Sequence, residues 1–155
     1  MEIRFANGED IPGLLELLAQ VGQVHHEIRP DIFPAGTLKY DAAALTDLLR
    51  ESNKPVLVAV TDQVVGYCFC QIRQFEAGAA SVCRRELYID DLCIREGHRG
   101  QGIAKALFAA ARNLGQEQGC QTLNLNVWCG NDSAMGFYEA MGLRPRNIMM
   151  EQELC

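Results

Sequence analysis

An apolar strand that runs straight into a glycine-rich turn and then a long amphipathic helix constrains this chain most. The strand is Leu87-Tyr88-Ile89-Asp90-Asp91-Leu92-Cys93-Ile94, and the turn is Arg95-Glu96-Gly97-His98-Arg99-Gly100-Gln101-Gly102. Ile103, Ala106, Leu107, Ala110, Ala111 and Leu114 then recur at helical spacing, with Gly119 after them, which predicts a helix over about 101–118 lying on a sheet. Gly100 and Gly102 allow a tight turn and close approach of a ligand to the backbone. The helix start leaves N–H groups unpaired beside the positive end of its dipole. Such a turn cradles a pyrophosphate, with Arg99 and Lys105 adding charge at its rim. The dinucleotide fingerprint does not fit, because its glycine spacing is wrong and a full helix intervenes before an acidic partner; a Gly-Lys-Ser/Thr loop is absent too.

The remaining pattern supplies the elements around this unit. Ile3 to Ala6 reads as a strand, and Asn7 as a cap with Asp10 three residues on; Ile11, Leu14, Leu15 and Leu18 continue as a helix to about residue 21. His25 to Thr37, with Pro30 and Pro34, reads as a loop or broken helix. A second helix is expected over 41–52, with Asp41 as its cap. Val56–Thr61 and Val64–Phe75 form a hairpin across Asp62-Gln63, and Glu86–Arg95 returns after a looser connection. Thr122–Cys129 is a fifth strand, Asn131–Met141 a short helix ending at Gly142, and Leu143–Glu151 a last strand. The order β-α-α-β-β-β-α-β-α-β is a mixed α/β architecture, and the 155 residues suit one domain over 1–155.

Charge and cysteine usage narrow the partners. A formal net charge of -6 argues against nucleic acid held by its phosphate backbone and mildly favours a cationic substrate. The seven cysteines, at 68, 70, 83, 93, 120, 129 and 155, contain no C-x-x-C pair and read as buried free thiols, so neither a disulfide framework nor a metal site is expected. Cys68 and Cys70 fall on one strand face as core thiols. A reducing cytoplasm is the expected compartment; no apolar run is long enough to span a membrane, and the first residues open into a strand instead of a signal peptide.

A second motif follows the fifth strand: Asn131-Asp132-Ser133-Ala134-Met135-Gly136-Phe137-Tyr138-Glu139-Ala140-Met141-Gly142-Leu143. With Arg99, Gly102 and Ala104 of the turn, it resembles the GNAT superfamily of acetyl-CoA-dependent N-acetyltransferases. The family's Asn-x-x-Ala-x-x-Phe-Tyr-Glu-x-x-Gly-Phe pattern is met at every fixed position except Leu143. The resemblance is strongest over about 86–151. It implies a mostly antiparallel sheet whose fourth and fifth strands splay apart to admit acetyl-CoA.

The resemblance also assigns roles. It implies a pyrophosphate on the amides from Arg99 through Gly100, Gln101, Gly102, Ile103 and Ala104 to Lys105, and a pantetheine arm along Leu92, Cys93 and Ile94. Asn131 is a further cofactor contact. Tyr138 is the general acid at the CoA sulfur, and the N–H of Ile94 or a neighbour polarises the thioester carbonyl. Asp90 resembles the strand carboxylate proposed as base in spermidine/spermine acetyltransferases. Strand alternation places Asp91 on the opposite face and Glu86 on the same face as Asp90, and which acid or water serves as base stays open.

His25 and His26, too close in sequence for an i, i+4 metal pair, fall with Arg29, Asp31 and Phe33 in the region that lines the acceptor site in this family; Trp128 and Cys129 lie near the cleft. The expected function is transfer of acetyl from acetyl-CoA to a primary amine, a small cationic amine before a protein N-terminus or lysine. The competing readings are a non-catalytic CoA-binding module and an ATP- or NAD-binding protein. A homodimer is left open.

Overall fold

The computed structural model describes residues 1–155. Five strands, β1 (Glu2–Phe5), β2 (Val56–Val60), β3 (Val64–Phe75), β4 (Arg84–Ile94) and β5 (Thr122–Leu125), form one sheet in sequence order. The first four are antiparallel to their neighbours, and β5 runs parallel to β4. The crossover that parallel pairing requires is α3 (Ile103–Glu117). It packs on one face with α4 (Asp132–Ala140); α1 (Ile11–Ile28) and α2 (Ala42–Leu48) cover the other.

Each face has its own core. Ile103, Leu107, Phe108, Ala111 and Leu114 of α3 meet Leu57, Val65, Cys68, Leu87 and Ile89. Leu14, Leu17 and Leu18 of α1, with Leu45 and Leu48 of α2, meet Val58, Tyr67 and Phe69. Burying one such side chain contributes about 1.5–3 kcal/mol, so the two layers hold the sheet between them. Where α3 crosses β3 the approach is close: a Cβ on Gly66 would lie 2.8 Å from Ile94 Cδ1 and 3.1 Å from Leu107 Cδ1.

The capping reading at the N-terminus holds. Asn7 accepts from Glu9 N and donates its own N–H to Asp10 Oδ2, both at 2.8 Å, around a single 3-10 turn. Asp10 is buried because Arg4 grips it with two hydrogen bonds of 2.7 and 2.9 Å; that guanidinium holds its carboxyl below the usual range. Asp41 caps α2 through Ala44 N at 2.8 Å.

Four expectations need correction. The first helix does not stop near 21 but continues to Ile28, so His25 and His26 sit on its last turn; only Pro30 breaks it, by forcing Arg29 to φ -138° and ψ 71°. Strand β5 ends at Leu125, four residues before Cys129. Leu143–Glu151 is not a strand: Pro145 lacks an N–H, no strand pairs with the segment, and its two ends are held by side chains instead. Arg146 reaches Glu86 at 3.2 Å and Glu151 reaches Arg29 at 2.6 Å. Last, all seven cysteines are free, but only Cys68, Cys70 and Cys93 are buried; Cys83, Cys129 and Cys155 are exposed.

Candidate active site

The glycine turn has the geometry its sequence suggests. Gly97, Gly100 and Gly102 have φ of 85°, 77° and 79°, the left-handed region that residues with a Cβ avoid. Gly102 caps α3 without any side chain on the helix's first amides. As a result, none of the seven consecutive N–H groups from Arg99 to Lys105 donates to a protein acceptor. They surround open space at the helix start, and the exposed Arg99 and Lys105 beside them carry no ion pair. Donors without acceptors, next to two uncommitted cations, suit a pyrophosphate.

The cradle adjoins an open strand edge. Pairing between β4 and β5 stops at Ile89–Leu125, while β4 stays paired with β3 as far as Ile94. Residues Asp90 to Ile94 therefore face the diverging β5 without a ladder partner. Arg95 N–H bonds Val65 O at 2.8 Å, so alternation turns the main-chain groups of Leu92 and Ile94 toward that open edge and those of Cys93 toward β3. Cys93 also buries its side chain on the α1 side, where its Sγ donates to Leu17 O at 3.7 Å; burial pushes its thiol up to about 12. The edge thus offers Leu92 and Ile94 to a ligand, and Cys93 only frames it.

Helix α4 brings in Tyr138. Its ring packs against Phe108 (6.3 Å between centroids) and Phe137 (5.1 Å), and no protein group hydrogen-bonds its hydroxyl. Burial, then the nearby Cys68 and Asp91, raise its pKa, so the phenol stays protonated. Asn131 starts the same helix by accepting from Ala134 N at 3.2 Å. The side chain expected at the cofactor therefore caps the helix through its oxygen.

Alternation misplaces the carboxylates. Phe69 pairs with Asp91 and Cys70 with Ile89, so Asp90 is the extra residue of a β-bulge. Beyond the bulge the faces exchange: Asp91 and Cys93 lie on the α1 side with Tyr67, whereas Leu87 and Ile89 face α3. Asp91 is thus not on the face opposite Asp90; both carboxylates are engaged from the α1–α2 side. Lys39 Nζ binds Asp90 Oδ2 at 2.5 Å beside a cavity of about 210 Å3, and Tyr67 donates to Asp91 Oδ2 at 2.7 Å. Asp91 is packed about by protein yet still opens on solvent. Burial raises its pKa above the ordinary carboxylate value, against the lowering influence of Tyr67, His25 and Lys39. Glu86 stands apart at the other end of β4, buried among Arg84 (3.0 Å), Asn124 (3.0 Å) and Arg146 (3.2 Å). Burial alone would raise its pKa, but these partners lower it.

On the acceptor side the end of α1, the following loop and the segment after β5 converge. Phe33 meets Trp128 edge-on at 5.5 Å and His25 at 5.1 Å, and His26 Nδ1 lies 2.8 Å from Phe33 O. Arg29 stacks over Trp128 at 5.5 Å while binding Asp31 and Glu151. Sequence reasoning selected the aromatic and histidine members of this wall. It missed Lys39, Tyr67 and Glu151, whose partners lie 51, 24 and 122 positions away and leave no local signal. No group of three or more His, Cys, Asp or Glu side chains is placed to hold a metal ion, and no helix is long and apolar enough to cross a membrane.

The sequence profile described as "Acetyltransferase (GNAT) family" matches residues 20–143. The chain belongs to this family. Its fold is similar over its whole length to a crystal structure of a variant of the BH1408 protein from Bacillus halodurans, with TM-score 0.95, 29% identity and 100% of both chains covered. Among curated relatives, N-acetyltransferase YdgE of Bacillus subtilis is 31% identical over 72 residues, 46% of this chain and 46% of that protein. Thialysine N-epsilon-acetyltransferase of Bos taurus is 33% identical over 58 residues, 37% of this chain and 34% of that protein. These matches span about half or less of the length of the relatives.

Proposed function

We propose that this protein transfers the acetyl group of acetyl-CoA to the primary amine of a small cationic acceptor by direct attack. The observation that carries this reading is the run of seven unpartnered amides, Arg99 to Lys105, just beyond the open β4 edge. A ligand with a pyrophosphate at one end and a strand-like amide arm at the other fits that sequence of donors. Bound there, acetyl-CoA supplies an activated thioester.

The chain's own groups divide the remaining work. Asp91 takes the proton of the entering ammonium so that the amine presents its lone pair. Its raised pKa brings it nearer the working pH, and Asp90 is already held by Lys39. The Ile94 N–H, turned to the open edge, donates to the carbonyl oxygen as charge develops on it. As the C–N bond forms and the C–S bond breaks, Tyr138 delivers its hydroxyl proton to the departing sulfur and is reprotonated by the proton that the nitrogen sheds on becoming an amide. Leu92, Arg99, Gly100, Gln101, Gly102, Ile103, Ala104 and Lys105 bind the cofactor.

The acceptor side carries four carboxylates, Asp31, Asp90, Asp91 and Glu151, against two cations, Arg29 and Lys39, that pair with three of them; the excess of negative charge supports a cationic acceptor, as does the name of the thialysine acetyltransferase. The test is twofold. Acetyl-CoA is expected to raise the melting temperature more than ATP and NAD, whose pyrophosphates fill the cradle but leave the β4 edge empty. Diamines and lysine analogues are expected to accelerate thiol release more than peptides with free N-termini. Stabilisation by NAD or ATP alone overturns the donor, and a preference for peptides overturns the acceptor class.

A further inference from the structure

Gln20, on the third turn of α1, sits outside the chemistry described above but makes three contacts with the end of β4. Its Nε2 donates to Ile94 O at 2.8 Å and to Cys93 Sγ at 3.3 Å, and its Oε1 accepts the Glu96 N–H at 2.8 Å. One turn earlier, Glu16 binds Arg95 Nη1 at 2.8 Å, and Arg95 Nε donates to Val64 O at 3.0 Å. Helix α1 is therefore stitched to residues 93–96, the hinge where the open edge ends and the glycine turn begins. Both main-chain groups of Ile94 face the open edge. With its carbonyl already taken by Gln20, the N–H is the group left to a ligand, held in one direction.

We propose that Gln20 is a positioning residue that fixes the angle between the β4 edge and the phosphate cradle, so that one ligand can span both. The inference rests on the acetyl-CoA reading. A ligand that touches only the cradle gains nothing from the pin, whereas one that runs from cradle to edge needs both in register. ADP, which carries a pyrophosphate without the pantetheine arm, and CoA, which carries both, separate these cases.

Gln20→Met keeps the side-chain length and removes all three hydrogen bonds. It is expected to weaken CoA about tenfold, or about 1.4 kcal/mol, to leave ADP affinity and the amine KM unchanged, and to speed amide hydrogen exchange at Ile94 and Glu96. Gln20→Glu, which keeps the acceptor for Glu96 N–H but loses the donor to Ile94 O, gives the same comparison if the methionine variant does not fold. Equal weakening of ADP and CoA, or unchanged CoA affinity, overturns the role of Gln20. A wild-type chain that binds neither ligand overturns the acetyl-CoA reading itself.

Discussion

Replacing Asp91 with asparagine is expected to lower kcat by about 100- to 1,000-fold, the usual contribution of a positioned base, and to remove the acidic limb of the pH–rate profile. Geometry supports keeping the fold intact, since the asparagine Oδ1 can still accept from Tyr67. Stability moves the other way. A carboxyl whose folded pKa is raised keeps its proton to higher pH in the native state than in the unfolded chain. Its favourable contribution is complete below about pH 4, the ordinary Asp pKa, and is lost as pH rises through the folded value. The Asp91→Asn variant is therefore expected to melt higher than wild type at neutral pH and to show no advantage at pH 3.5. Asp90→Asn breaks only a half-exposed ion pair with Lys39 and is expected to change kcat by less than about tenfold. A full loss of activity in Asp90→Asn with a normal Asp91→Asn assigns the base to Asp90 instead.

The second large effect is at Tyr138. Tyr138→Phe keeps the ring against Phe108 and Phe137 and removes only a hydroxyl with no protein partner, so CoA affinity and melting temperature are expected to stay near wild type. Transfer is expected to fall about 100-fold because the leaving thiolate loses its proton donor. The phenol's raised pKa also means that ionisation of Tyr138 contributes no basic limb below pH 10. Equal kcat in the two proteins removes Tyr138 from the reaction.

These residues differ in how far sequence alone could reach them. The cradle was readable because its signals are local: Gly100 and Gly102, a helix start and two basic residues within seven positions. Asn7 and Asp41 were readable as caps for the same reason. The face of Asp91 was not, since one unpaired residue at Asp90 inverts every assignment made by alternation beyond it. Nor was the helical place of His25 and His26, because two prolines suggested a broken segment where only Pro30 ends the helix. The expected strand at 143–151 failed for want of a partner, which local propensity cannot supply. Gln20, Lys39 and Tyr67 act through contacts 74, 51 and 24 positions away, and such pairings emerge only once β4 is docked on α1 and β3.

The most direct test of acetyl transfer is a product balance. The protein is incubated with acetyl-CoA labelled in the acetyl group and a small diamine, and both CoA thiol and labelled amide are quantified over time. One labelled acetyl amide per thiol released, at a rate that rises with amine concentration and collapses in Tyr138→Phe, is the expected result. Thiol release that ignores the amine, or binding of acetyl-CoA without any labelled amide from diamines, amino acids or peptides, would contradict it.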